Sequence, residues 1–198
     1  MKYIVGIDEV GRGPLAGPVT VCIVVCKSKI YSKLKRDKSL PPLGKDSKKL
    51  SSKERETYAK YLKHIGISYA VTHVSNKIID KKGISFAIKK AMSNGIKKLK
   101  LNPKNCQVIL DGSLKAPVQF KNQKTIIKGD EKEKIIAWAS ILAKVSRDKL
   151  MSKSAKKFPG YGFEFHKGYG TEEHRRVISY RGLSVFHRKT FCIQLISI

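Results

Sequence analysis

The sequence predicts an α/β fold, with a mixed central sheet and helices on both of its faces. Three observations carry this. YIVGID at 3–8 is β-rich, and PVTVCIVVC at 18–26 is almost wholly apolar and β-branched, so it reads as a strand buried on both faces. Segments with helical periodicity are interleaved with further short strands. Capping residues and Pro or Gly stops punctuate the boundaries.

Each element follows in order. The GRGPLAG link between the first two strands suggests a hairpin-like pairing with a longer turn. Residues 27–49 are rich in Lys, Pro and Ser and read as loop, with GKDSKKLS at 44–51 inside them. Ser51 or Ser52 caps a helix that runs to about His64, and Glu54 is placed to favour its start. Residues 67–73 alternate as a third strand, and a helix spans about 84–99 until Asn102-Pro103 breaks it. Residues 107–110 form a fourth strand ending in Asp111-Gly112, and 123–127 a fifth. Asp130 caps the longest helix, predicted over about 131–157 and stopped by Pro159-Gly160. FPGYGFEFHKGYGT at 158–171 reads as loop, and Thr171 caps a last helix to about Arg181, ended by Gly182. With no internal repeat or low-complexity linker, one domain over 1–198 is expected.

Charge narrows the function. Forty-two Lys and Arg against fifteen Asp and Glu give +27. Such a field attracts polyanions, nucleic acid first and an anionic membrane second. Individual lysine pairs such as Lys81-Lys82 and Lys156-Lys157 can equally be solvated helix faces, but the net field remains. The longest apolar run, at 19–26, is too short to span a bilayer, and no basic amphipathic helix supports membrane binding. MKYIVGIDEVG does not read as a signal peptide, since acids interrupt it early. The four cysteines form no CxxC pair and read as reduced thiols of a cytoplasmic protein.

Four carboxylates stand out against this basic background. Asp8 and Glu9 end the first strand, Asp111 ends the fourth, and Asp148 lies late in the long helix. Strand ends are where α/β folds gather their chemistry. At about 100° per residue, Asp148 shares the apolar helix face with Ala137, Ile141 and Val145. An inward carboxylate is costly unless something positive pairs with it. Two readings stand open: an ion pair with a neighbouring Lys or Arg, or convergence with the other acids on a divalent cation. Oxygen-only ligands suit the hard ions Mg²⁺ and Mn²⁺. A basic surface that holds phosphates around such a pocket fits phosphoryl chemistry. On an ideal strand Asp8 and Glu9 point to opposite faces, so both reach one site only if the strand ends or bulges there.

On these residues the sequence resembles the ribonuclease HII family. IDEVGRGPLAGPV, DSKKLS at 46–51, ILDG at 109–112, ASILAKVSRD at 139–148, HKGYGT with His174, and HRKTF at 187–191 follow the family's motifs in order along nearly the whole chain. The resemblance implies an RNase H-like fold with a helical substrate-binding region at about 150–198. It implies an endonuclease that cuts the RNA strand of RNA–DNA hybrids and cuts 5′ of single ribonucleotides in duplex DNA, leaving 5′-phosphate and 3′-hydroxyl ends. Asp8, Glu9, Asp111 and Asp148 would be its metal ligands and catalytic acids, with two ions of Mg²⁺ or Mn²⁺ at the catalytic step. One ion would activate water and the other would stabilise the leaving oxygen. Gly11, Arg12 and Gly13, with Tyr169, would recognise the 2′-hydroxyl that separates RNA from DNA. Ser47 and Lys48 would touch phosphate near the cut, with Lys144, Arg147, His166 and Lys167 as further substrate contacts. The sister family, ribonuclease HIII, carries an N-terminal extension and GTG, whereas here the acids begin at residue 8 and residue 12 is Arg. Gly170 departs from the HKGYPT of many bacterial members and bears on the loop holding Tyr169.

Two rival readings remain. A nonspecific basic nucleic-acid-binding protein accounts for the charge but not for the acids. A broader hybrid nuclease keeps the fold but is indifferent to single ribonucleotides. A monomer is expected, and FCIQLISI at the C-terminus shows no convincing sliding-clamp-binding tail.

Overall fold

The two β-rich runs pair as expected. In the computed structural model, which describes residues 1–36, 50–65 and 67–196, they form β1 (Tyr3–Val10) and β2 (Val19–Lys27). They are antiparallel from Tyr3↔Lys27 to Val10↔Thr20. Next comes α1 (Ser28–Leu34), a helix where composition predicted loop. Tertiary packing overrides the polar sequence: Tyr31 is buried edge-on against Trp138, with ring centroids 5.8 Å apart. Ser47 and Lys48 lie outside the described residues.

The second helix, α2 (Ser52–His64), starts at a full capping box. Ser51 Oγ accepts from the Glu54 amide, and the Glu54 carboxylate accepts from the Ser51 amide. Strand β3 (Ser68–Val74) pairs antiparallel with β2. Two helices follow, α3 (Asn76–Lys82) and α4 (Ile84–Lys98), hinged at Gly83 with φ of 82°. The short α3 escaped the sequence reading. Strand β4 (Cys106–Asp111) runs parallel to β1, and β5 (Gln123–Ile126) parallel to β4. The sheet order is β3-β2-β1-β4-β5.

The predicted long helix is in fact two, α5 (Gly129–Lys132) and α6 (Lys134–Ala155), separated by an extended Glu133. Asp130 therefore sits inside a helical turn rather than capping a long helix. Glu133 is held in the break by the Tyr31 hydroxyl and by Lys35 Nζ at 3.0 and 3.1 Å. Residues 158–171 contain one short helix, α7 (Phe163–His166). Thr171 caps α8 (Glu172–Arg181) through the His174 amide, and α9 (Ile193–Ile196) closes the described chain.

Strand alternation divides the core. Val5, Ile7, Val21 and Ile23 face the buried side of α4 (Ala87, Ile88, Ala91, Met92). Cys22, Val24 and Ile109 face α6 (Ile135, Trp138, Ala139, Leu142), so helices cover both faces. Gly6 lets α6 lie directly on β1, since a Cβ there would come 2.3 Å from the Ile135 carbonyl oxygen. All four cysteines are buried free thiols. Among the described residues no helix is long and apolar enough to cross a membrane.

Candidate active site

The β1–β4 ladder stops at Ile7↔Leu110, one residue before Asp8 and Asp111. A cavity of about 580 Å³ opens there. It is lined by four acids (Asp8, Glu9, Asp111 and Asp130), three cations (Arg12, Arg55 and Lys144), and Gly11, Gly13, Ser140 and Tyr169. Only the β1–β4 ladder ends here; β1 stays paired with β2 through Val10, and consecutive Asp8 and Glu9 both border the one space.

The two acids are held by short-range contacts. Asp8 Oδ1 accepts from the Glu9 amide at 2.8 Å, and Ser140 of α6 hydrogen-bonds the same carboxyl. Burial, then the negative charge of Glu9, holds the Asp8 carboxyl well above the usual carboxylate range, and Asp111 adds to this. Glu9 is raised by burial, opposed by Arg12, whose Nη1 lies 3.5 Å from Oε1. Glu9 Oε2 is buried with no hydrogen-bond donor. Asp111 Oδ1 accepts from the Gly129 amide at 2.6 Å, and the following Asp130 is 7 % exposed.

Asp148 does not line this cavity. Its Oδ1 lies 3.0 Å from Lys144 Nζ and its Oδ2 3.8 Å from Arg55 Nη2. It borders a neighbouring cavity of about 290 Å³ with Ser52, Lys149 and Lys167. The inward helix face is real, and Asp148 is ion-paired there, although its Oδ1 is buried without a hydrogen-bond partner, as Glu9 Oε2 is. Asp148 stands two turns beyond Ser140, which abuts Asp8, so it lies roughly 12 Å farther along the helix axis. The acid that completes the cavity is Asp130, first read as a cap. Its signal was the Gly129-Asp130 pair shortly after a strand end.

Two fully buried arginines hold the GRGPLAG link and its flanks from behind, and Arg188 alone bonds the GRG carbonyls. Arg188 donates to the carbonyls of Gly11 (2.6 Å), Arg12 (2.9 Å) and Gly17 (2.9 Å). Arg147 donates to those of Pro18 (3.1 Å), Ala16 (3.2 Å) and Lys167 (2.9 Å). Gly11 has φ of +86°, and a Cβ there would come 2.2 Å from Arg147 Nε. A Cβ at Gly13 would meet nothing within 4 Å, and Gly13 is exposed at the cavity wall. Tyr169 is 39 % exposed, and its ring centroid lies 5.6 Å from Lys144 Nζ and 5.7 Å from the Arg147 guanidinium.

Three further expected substrate contacts sit elsewhere. Arg147 is 0 % exposed and each of its three nitrogens serves a carbonyl, so it is a scaffold residue. His166 is occupied by the Tyr161 carbonyl and the Gly168 amide. Lys167 Nζ donates to Ser152 Oγ at 2.7 Å and to the Glu164 carbonyl, beside the second cavity.

With this geometry described, comparison with known proteins decides the family. The family model described as Ribonuclease HII matches residues 5–194. The chain belongs to the ribonuclease HII family. It is 46 % identical over 188 residues to Ribonuclease HII of Endomicrobium trichonymphae, covering 95 % of this chain and 84 % of that protein. Ribonuclease HII of Caldicellulosiruptor bescii is 42 % identical over 197 residues, covering 90 % of that protein. Among solved structures, the PCNA:RNase HII complex from Archaeoglobus fulgidus aligns with a TM-score of 0.75 at 26 % identity, covering 98 % of this chain and 97 % of that one. Bst-RNase HIII, solved in complex with Mn²⁺, shares the fold at TM-score 0.63 and 19 % identity. As a ribonuclease HII family member the chain is a ribonuclease H, an endonuclease acting on RNA–DNA hybrids.

The glycine at 170 does not free the Tyr169 loop. The Tyr169 amide donates to the His166 carbonyl at 2.9 Å, and Arg175 Nε donates to the Gly170 carbonyl at 3.0 Å. A Cβ at 170 would already press on Leu15 Cδ1 at 3.0 Å.

Proposed function

We propose that this ribonuclease H is divalent-metal-dependent and cuts 5′ of single ribonucleotides in duplex DNA as well as within hybrids, leaving 5′-phosphate and 3′-hydroxyl ends. The observation that carries the reading is one cavity in which four carboxylates meet the GRG segment and Tyr169.

The acids fit a divalent ion by their chemistry. The donor set is all oxygen, Glu9 Oε2 is buried without a donor, and Asp8 is pushed toward protonation by burial and its acidic neighbours. A cation would relieve both. Among the described residues no ready-made group of three His, Cys, Asp or Glu ligands stands gathered, so the carboxylates border the space rather than closing on it. Asp8, Glu9 and Asp111 would hold the ions, with Asp130 in place of Asp148. Bound Mg²⁺ or Mn²⁺, two at the catalytic step, would supply a nucleophilic water and stabilise the leaving 3′-oxygen.

The chain's own groups do the rest. Arg12, Arg55 and Lys144 offset the charge of the entering phosphate at the cavity wall. The Gly11 and Gly13 backbone can approach a ribose closely and bond its 2′-hydroxyl. The Tyr169 ring stacks under the neighbouring sugar or base. The segment from about residue 150 onward, which carries Tyr169, is the substrate-binding part in this reading, and the chain acts as a monomer.

The test is cleavage of a labelled DNA duplex carrying one ribonucleotide, with Mg²⁺, with Mn²⁺ and with chelator. One cut 5′ of the ribonucleotide, abolished by chelator, is expected. Cleavage of long hybrid alone would leave the broader hybrid nuclease, and cleavage in chelator would remove the metal from the reading.

A further inference from the structure

Behind Tyr169 lies a cluster of three histidines that neither the acids nor the GRG loop uses. His174 and His187 are 0 % and 1 % exposed. His174 Nδ1 lies 2.8 Å from the Tyr169 carbonyl, and its Nε2 lies 3.1 Å from His187 Nε2. His187 Nδ1 lies 2.9 Å from the Ser184 amide.

Backbone groups at both ends leave one arrangement of protons. A carbonyl only accepts, so His174 Nδ1 carries the proton and donates to Tyr169. A backbone amide only donates, so His187 Nδ1 accepts from Ser184. The proton between the rings then sits on His187 Nε2 and points at His174 Nε2. Burial pushes both imidazoles down to about 4, so both are neutral at pH 7. His166 stacks on His174 at 4.1 Å between ring centroids, and its carbonyl accepts the Tyr169 amide at 2.9 Å. Both backbone groups of Tyr169 are thus held by this cluster.

We propose that His174 is a positioning residue for Tyr169, and that His187 fixes the tautomer in which it acts. The inference rests on the reading of Tyr169 as a sugar contact at the RNA–DNA junction, and deepens it. A carbonyl bonded to a buried ring cannot drift, so the exposed phenol keeps its height over the cavity. Discrimination for the lone ribonucleotide depends on that height more than cleavage of a long hybrid does, because a hybrid offers many registers.

The experiment compares the full chain with His174→Leu, His174→Asn and Tyr169→Ala on two duplexes, one with a single ribonucleotide and one with a long hybrid. His174→Leu should lower the ratio of the two rates about tenfold, the scale of one lost hydrogen bond. His174→Asn places an amide N–H near the Nδ1 position and should keep the ratio within about threefold. An equal loss on both substrates in both His174 variants would reduce the histidine to a packing role and overturn the proposal. So would an unchanged ratio in His174→Leu beside a changed one in Tyr169→Ala. If Tyr169→Ala itself leaves the ratio intact, the fault lies with the junction reading of Tyr169. Imidazole ¹⁵N shifts of the wild-type chain decide the proton arrangement independently, even where a variant fails to fold. Nδ1–H on His174 with Nε2–H on His187 at pH 7 is expected, and the opposite tautomer or a charged His174 overturns the proposal.

Discussion

The amide of Gly129 donates to Oδ1 of Asp111 at 2.6 Å. The bond ties the end of β4 to the first turn of α5, and the next residue is Asp130. Two acids from separate elements are thereby set on one cavity by a backbone contact. A Cβ on residue 129 would lie 2.5 Å from Ile136 Cδ1 and 3.2 Å from Asp111 Oδ1. Gly129→Ala should therefore cost about 1–3 kcal/mol in urea unfolding and lower kcat at least tenfold. An alanine variant as stable and active as wild type would remove the significance of this contact.

The fourth acid is open to direct comparison. Asp130→Asn should lower cleavage by two orders of magnitude or more and weaken Mn²⁺ binding in calorimetry. Asp148→Asn should keep Mn²⁺ affinity within a few-fold, since Asp148 serves Lys144 and Arg55. The reverse pattern would restore Asp148 to the metal site.

Asp8 stores an electrostatic cost. Its folded carboxyl is raised by burial and by Glu9. Stability from such a group is full below the ordinary carboxylate range and is lost as pH rises through the folded value. At pH 7 without metal this carboxyl is thus destabilising. Asp8→Asn should raise the melting temperature of the chelator-treated protein by about 2–4 °C at pH 7 while abolishing cleavage, with the gap narrowing toward pH 4. Added Mg²⁺ should stabilise the wild type and not the variant. A lower melting temperature for the variant in chelator would contradict this account.

The buried histidines titrate in the opposite sense. Both are lowered to about 4 in the fold, where His166 adds to the effect on each and Arg175 to that on His174. Their contribution is full above the unfolded value near 6.5 and falls as pH drops from there toward 4. Each should steepen the loss by up to about 1.4 kcal/mol per pH unit. Denaturant unfolding of wild type and His187→Gln across pH 4–7 should show a shallower slope in the variant.

Arg188 is a stability residue at the site's edge. It is 0 % exposed and serves three carbonyls of the GRGPLAG link. Arg188→Met leaves those carbonyls without their donor and should cost about 3 kcal/mol or more, read by urea unfolding. Arg188→Lys should recover only part, because one ammonium cannot span the three. Full stability in Arg188→Met would show that water replaces the guanidinium.

By itself the sequence determined the five strands, a cap at Ser51 or Ser52, the cap at Thr171, and the adjacent acids Asp8 and Glu9 late in the first strand. These signals are local: side-chain period, β-branching and a capping hydroxyl act within a few residues. Only the tertiary structure decided α1, because Tyr31 finds Trp138 from a distant helix. It also decided the break at Glu133, held by Tyr31 and Lys35. It separated Asp148 from the cavity and brought in Asp130. Helical periodicity gives the direction in which a side chain points but not where along its axis the helix crosses the sheet. That position is fixed where Gly6 admits the α6 backbone and Ser140 meets Asp8. Arg147 was misread for a related reason. A cation's burial depends on whether distant carbonyls converge on it, and those of Ala16, Pro18 and Lys167 meet only in the fold.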